Sequence, residues 1–161
     1  MLTQNRLREV LSYDPVTGLF RWLVARGQNR VGDRAGTQDL DGYRSILFEG
    51  KRYKEHRLAW LYVYGRWPSL QLDHKNNIRN CNSIDNLREA TPSTNQFNSL
   101  RSIRNKSGFK GVCWHPKRGW RAYICKDGKV TELGYYMTPE EAFIIRSNAA
   151  EKLHGEFVNA G

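Results

Sequence analysis

Asp73 and His74 stand side by side behind a short apolar stretch (Leu70, Leu72), and two amides, Asn86 and Asn95, follow at wider spacing. A carboxylate and a carboxamide oxygen are hard ligands of the kind that Mg²⁺ and Mn²⁺ prefer. Histidine is the side chain best suited to take a proton from water near neutral pH. The chain carries 26 Lys and Arg against 16 Asp and Glu, a net charge of +10, so the natural target of this pairing is a phosphodiester. Hydrolysis there needs a deprotonated water, an offset for the phosphoryl charge and a stabilised leaving 3′ oxygen. The pattern predicts His74 for the first need, and one Mg²⁺ or Mn²⁺ ion held by Asp73 and Asn95 for the other two. With only two protein ligands, most coordination positions are left for water and substrate, which suits Mg²⁺.

Neighbouring residues of a regular strand point to opposite faces. Asp73 and His74 can serve one site only from a strand end, where the chain twists into a polar loop. Such a loop follows directly, with Asn76, Asn77, Asn80 and Asn82. Asn86 is expected to brace that loop through hydrogen bonds to its backbone and so fix His74. Lys75, Arg79 and Arg88 are candidate phosphate contacts. Plainer readings exist for each feature. An Asp-His pair is commonly structural, an Asn-rich loop can be a solvated turn, and His56 reads as a helix cap or a buried, hydrogen-bonded ring.

The elements that must position these residues fall into successive stretches. In residues 1–55, a helix is expected from Thr3 to Leu11, followed by a turn at Asp14–Gly18. A strand at Leu19–Leu23 and two more at Tyr43–Phe48 and Lys51–Glu55 complete this leader. Residues 56–100 hold the chemistry: a helix from His56 closed by Gly65, a strand at Leu70–Lys75, a second at Asp85–Ala90, and a helix capped by Thr91 with Pro92 in first position. A basic linker over 101–107 carries Arg101, Arg104 and Lys106, candidates for lying along phosphates. In 108–161, strands are expected at Phe109–Trp114, Trp120–Cys125 and Thr131–Tyr136. Thr138-Pro139-Glu140-Glu141 then opens a helix expected to bury Ala142, Ile145, Ala149 and Leu153. Alternation places Trp120, Ala122 and Ile124 on the helix side, with Val112, and Arg121, Tyr123 and Cys125 on the other face, with Cys113 and His115.

The fold class is therefore α+β, with small antiparallel sheets. The three cysteines, Cys81, Cys113 and Cys125, are odd in number and have no Cys-x-x-Cys spacing, which argues against a disulfide framework or structural zinc and for a reducing cytoplasm. No apolar run is long enough to span a bilayer, so a membrane partner is not expected.

Segment 56–98 resembles the HNH endonucleases, in particular the homing-endonuclease-like branch of phages and mobile introns. The resemblance is carried by His56-Arg57-Leu58-Ala59-Trp60, Leu72-Asp73-His74-Lys75-Asn76-Asn77, Asp85-Asn86-Leu87-Arg88-Glu89-Ala90-Thr91 and Asn95-Gln96. It implies a ββα-metal nuclease core, His74 as general base, Asp73 as metal ligand, Asn86 as a structural residue of the catalytic motif, and products with 5′-phosphate and 3′-hydroxyl ends. The last motif position is often His in that family. Here Asn95 or Asn98 must fill it, with Asn95 preferred. Residues 7–55 are similar to the usual leader of phage HNH proteins.

Residues 108–159 resemble the plant Apetala/ethylene-response-factor DNA-binding domain. The carrying residues are Gly108-Phe109-Lys110-Gly111-Val112, Trp120–Ile124, Leu133–Tyr136, Thr138–Ala142 and Ala149–Gly155. That resemblance implies a three-stranded antiparallel sheet with one packed helix, laid in the major groove of duplex DNA. Lys110, His115, Lys117, Arg121 and Tyr123 are the candidate contacts. The plant domains carry arginines and tryptophan at several places where Cys113, His115, Lys117 and Cys125 stand here, so the preferred sequence is expected to differ. The expectation is a DNA endonuclease, monomeric by preference, with a separate DNA reader. Its rivals are a non-enzymatic DNA-binding regulator carrying a silent nuclease remnant and an RNA-binding module.

Overall fold

Thr3 accepts a hydrogen bond from Arg6 N at its hydroxyl and so caps helix α1 (Gln4–Val10), which buries Leu7 and Val10. The chain passes straight from α1 into strand β1 (Leu11–Asp14), a strand not expected from the sequence, paired antiparallel with β2 (Leu19–Trp22). Leu11 is therefore the first residue of β1, where it is fully buried, and not the last of a helix. Asp14 accepts from Val16 N and the Thr17 hydroxyl, which folds the intervening turn. Gly18 closes that turn at φ 73°.

These observations come from a computed structural model that describes residues 1–99 and 105–154. Strands β3 (Thr37–Gln38), β4 (Arg44–Phe48) and β5 (Lys51–Lys54) form a three-stranded antiparallel sheet. Helix α2 (Glu55–Tyr64) follows β5 without a loop and ends at Gly65 with φ 70°, the left-handed cap expected there. Strand β6 (Gln71–His74) pairs with β7 (Leu87–Ala90), with Asp73 opposite Arg88 and His74 opposite Leu87. A single 3₁₀ turn at Ile84–Asn86 precedes β7. Helix α3 (Pro92–Asn98) is capped by the Thr91 hydroxyl, which accepts from Thr94 N at 3.2 Å.

The chain divides into two compact units, Met1–Ala90 and Thr91–Gly161. One core runs through the first and includes Leu7, Leu11, Phe20, Ile46, Phe48, Leu58, Leu61 and Leu87. Residues 1–55 thus share their hydrophobic interior with α2 and β7. Each fully buried Leu or Phe in that core contributes about 1.5–3 kcal/mol of transfer free energy. Glu89 ties the loop before β6 to β7: Arg66 grips both its carboxylate oxygens, at 3.3 and 2.9 Å, and Ser69 N donates to it. Those hydrogen bonds, Arg66 first, hold its carboxyl down to about 2.

In the second unit, β8 (Val112–His115), β9 (Gly119–Lys126) and β10 (Lys129–Tyr136) form an antiparallel sheet in the order β10-β9-β8, with a bulge between Glu132 and Gly134. Helix α4 (Pro139–His154) opens with a reciprocal cap, Glu141 N to the Thr138 hydroxyl and Thr138 N to the Glu141 carboxylate. Its buried face differs from the sequence expectation. Ala142, Arg146 and Ala150 are buried, whereas Ile145 and Leu153 are exposed. The small alanines let the helix lie close on Val112, Ala122 and Ile124, Phe143 stacks partly buried on Phe109, and Ile144, Ile145 and Leu153 turn away. Burial lowers the pKa of Arg146. Gly111 makes room for that side chain: a Cβ there would lie 3.0 Å from Arg146 Nε. All three cysteines are free, and among the described residues no helix is long and apolar enough to cross a membrane.

Candidate active site

Strand β6 ends on Asp73 and His74, both only 5% exposed. Strand alternation sends the two side chains to opposite faces of the β6–β7 hairpin. Asp73 shares a face with Arg88, and Arg88 Nε donates to its Oδ2 at 2.9 Å. Arg88, a candidate phosphate contact in the sequence, is 8% exposed and engaged with the Asp73 carboxylate.

His74 shares a face with Leu87 and points into the first unit. Its Nε2 lies 3.0 Å from Asn82 Oδ1. The His56 ring stands perpendicular to it, with centroids 5.3 Å apart, and the Tyr43 ring lies 6.1 Å away. Burial pulls the pKa of His74 below its ordinary 6.5, against opposing pulls from Asn82 and Asp73. Burial thus favours the neutral ring, the state in which an imidazole can accept a proton.

The loop between β6 and β7 is organised by Asn86. Its Oδ1 accepts from Asn76 N at 3.1 Å, and its Nδ2 donates to Cys81 O at 2.7 Å and Asn76 Oδ1 at 3.0 Å. Lys75 N donates to Asn86 O at 2.9 Å. Asn77 takes a left-handed conformation, φ 59°, as the chain reverses. The loop is more than a solvated turn, because Asn82 is buried at its centre, 1% exposed.

The family model of the HNH endonucleases matches residues 53–97. An uncharacterised HNH endonuclease of Acanthamoeba polyphaga mimivirus is 30% identical over 145 residues, covering 89% of this chain and 67% of the viral protein. The chain belongs to the HNH endonuclease family. Protein 3.8 of Escherichia phage T7 is also 30% identical, over 110 residues, 66% of this HNH chain and 89% of the phage protein. No solved structure matches.

Of the residues that the sequence points to in this HNH protein, Asp73, His74, Asn86, Lys75, Arg79 and Arg88 lie in the first unit. Asn95 and Asn98 belong to the second, in α3. Asn95 is half-buried and Asn98 is 3% exposed. Lys75 is exposed. Arg79 donates to Asp41 O at 2.8 Å and stacks over Tyr43 at 5.1 Å. His56 is neither cap nor satisfied ring: it lies inside the first turn of α2, and its buried Nδ1 has no hydrogen-bond partner among the described residues. Burial, with the neighbouring His74 second, lowers its pKa to about 3.

On the second unit, Arg121 and Tyr135 are cross-strand neighbours on the face away from α4, as are Tyr123 and Glu132. Arg121 pairs with Glu132 at 2.9 Å and lies over the Tyr123 ring at 5.3 Å. The His115 ring meets Tyr135 edge-on at 5.4 Å. Lys106 and Lys117 are exposed. Lys110 is half-buried, its Nζ donating to Ser99 O at 2.5 Å, and burial lowers its pKa to about 8. Trp120 packs partly buried in the core, whereas Trp114 is exposed. Arg101 and Arg104 lie outside the described residues.

Among the described residues, no cluster of three or more His, Cys, Asp and Glu is placed to hold a metal. The Asp73 carboxylate offers oxygen donors of the kind that suit a hard divalent ion. Because Arg88 holds Oδ2, Asp73 would share its carboxylate between a guanidinium and the cation. Three residues escape sequence reasoning: Asn82, Glu55 and Arg44, which together back His74. In the sequence, Glu55 reads as the end of a strand, and Asn82 as one asparagine in a polar loop.

Proposed function

We propose that this chain is a metal-dependent endonuclease acting on duplex DNA. His74 takes a proton from water. The resulting hydroxide forms a bond to phosphorus, the bond to the 3′ oxygen breaks, and that oxygen leaves with the electron pair and takes a proton from solvent. Asp73 and Asn95 are the residues that would hold Mg²⁺ or Mn²⁺. The ion, when bound, offsets phosphoryl charge and stabilises the leaving oxygen. Asn86 holds the loop that carries His74. The observation that carries this reading is a buried His74, fixed on Asn82 at the end of β6, inside the segment that matches the HNH family model.

The homing-endonuclease-like activity and the DNA reader belong to the same proposal. Residues 108–161 are read as an Apetala-like domain, supported by an antiparallel three-stranded sheet with one helix on a single face. Its open face offers His115, Lys117, Arg121 and Tyr123, with Lys110 beside it. Lys75, Arg79, Lys106 and the arginines at 101 and 104 are the further phosphate contacts.

A second reading, a DNA-binding regulator with a silent nuclease remnant, is favoured by the Asp73–Arg88 ion pair, which engages one oxygen of the carboxylate the metal needs. Incubation with DNA surrounding the protein's own gene, with ends mapped on both strands, separates the two. We expect Mg²⁺-dependent nicking or cutting that EDTA stops, leaving 5′-phosphate and 3′-hydroxyl ends. Specific retention of that DNA without any cleavage, in Mg²⁺ and in Mn²⁺, would leave the regulator.

A further inference from the structure

Behind His74 runs a chain of buried polar groups. Asn82 Oδ1 meets His74 Nε2 at 3.0 Å, and Asn82 Nδ2 donates to Glu55 Oε2 at 3.2 Å. Glu55 is 1% exposed and also receives Arg44 Nε, at 3.0 Å on Oε1 and 3.2 Å on Oε2. Arg44 is anchored in turn on Ala35 O at 3.0 Å and Gly36 O at 2.8 Å. On its backbone side, Asn82 O accepts from the Tyr13 hydroxyl at 2.7 Å.

Two glycines leave the space this chain occupies. A Cβ on Gly36 would overlap Glu55 Oε1 and come 2.8 Å from Ser45 O, and a Cβ on Gly18 would overlap the Asn82 backbone. Both have positive φ, 78° and 73°.

The chemistry of these groups leaves one arrangement. An ionised carboxylate only accepts, and the Arg44 guanidinium only donates. Glu55 therefore fixes which end of the Asn82 amide is which: NH₂ toward Glu55, oxygen toward His74. An oxygen acceptor requires a hydrogen on Nε2, so the lone pair of the neutral ring sits on Nδ1.

We propose that Arg44, Glu55 and Asn82 are positioning residues that select the Nε2–H tautomer of His74 and so make Nδ1 the atom that accepts water's proton. The inference rests on His74 being the base. Once Nδ1 has taken the proton, both ring nitrogens are donors. The Asn82 oxygen, backed by ionised Glu55, then faces the positive ring without any atom having to move.

The test is a long-range ¹H–¹⁵N spectrum of the ¹⁵N-labelled full-length protein without metal, at a pH where the imidazoles are neutral, with His74 assigned by its disappearance in His74→Ala. The wild type should show a protonated Nε2 and an unprotonated Nδ1. Glu55→Gln should turn the Asn82 amide over, because the introduced carboxamide keeps its oxygen for Arg44 and offers NH₂ to Asn82. The proton should then move to Nδ1, and kcat should fall by about 10²-fold or more, with DNA affinity kept. The exchanged pair Glu55→Gln with Asn82→Asp restores an oxygen opposite Nε2, and should restore both the tautomer and most of kcat. An Nδ1–H tautomer in the wild type would overturn the proposal, as would an unchanged tautomer and kcat in Glu55→Gln. Should that variant not fold, the wild-type spectrum and the exchanged pair decide alone. If His74→Ala still cleaves, the base assignment fails, whereas the tautomer result is read from the spectrum independently.

Discussion

For single residues, the site is defined by what burial does to imidazoles. His56 and His74 are packed ring to ring, and burial lowers the pKa of each. The unfolded His56 ring takes its proton near 6.5, and the folded one only near 3. As pH falls from about 6.5 toward 3, the unfolded state binds a proton that the native state refuses, so stability drops by up to about 1.4 kcal/mol per pH unit from this ring. Glu55 acts in the opposite sense, because burial raises its pKa and its native form takes up a proton first as pH falls. Thermal melts between pH 7 and 4 should show a falling Tm, with a shallower fall in His56→Phe. A wild-type Tm that does not change over this range would contradict the burial of His56. Asp73, His74 and Asn86 stand out as candidates by residue type and spacing alone. Asn82 is not, because its role depends on Glu55, 27 residues away in sequence, and no local pattern announces such a pair.

Secondary-structure elements are legible where turn and cap chemistry is local. Gly65 after α2, Pro92 after Thr91, and Thr138 with Glu141 each mark a helix end through interactions within a few residues. Strand β1 is hidden because it follows α1 with no turn between them. The buried face of α4 departs from expectation because helical periodicity favours the larger apolar side chains, Ile145 and Leu153, whereas the face that is buried carries Ala142, Arg146 and Ala150. At the turn between β1 and β2, Gly18 takes φ 73°, and its missing Cβ makes room for the Asn82 backbone. Gly18→Ala should therefore cost at least about 2 kcal/mol, from the left-handed backbone and the overlap together. Urea unfolding measures this, and a destabilisation under about 0.5 kcal/mol, the range of a neutral surface change, would show that the loop gives way easily.

Across the molecule, residues 1–55 fold as part of the unit that carries His74, since Leu7, Phe20 and Ile46 share a core with Leu58 and Leu87. The sequence reading of a leader rests on the likeness of residues 7–55 to the leader of phage HNH proteins. Shared burial between distant segments is not written in any one of them. The net charge of +10 is divided between catalysis and address in the proposed function. Deleting residues 108–161 should weaken site-specific binding and make the salt dependence shallower, by about 0.9 in log–log slope for each phosphate no longer neutralised. An unchanged affinity and slope would show that these residues are not a DNA reader. The proposal that His74 is the base is decided by comparing wild type and His74→Ala on the same duplex in Mg²⁺, with gel-shift retention measured in parallel. His74→Ala should bind DNA as the wild type does and cut at least about 10²-fold more slowly. Equal cleavage by the two proteins would contradict a catalytic His74.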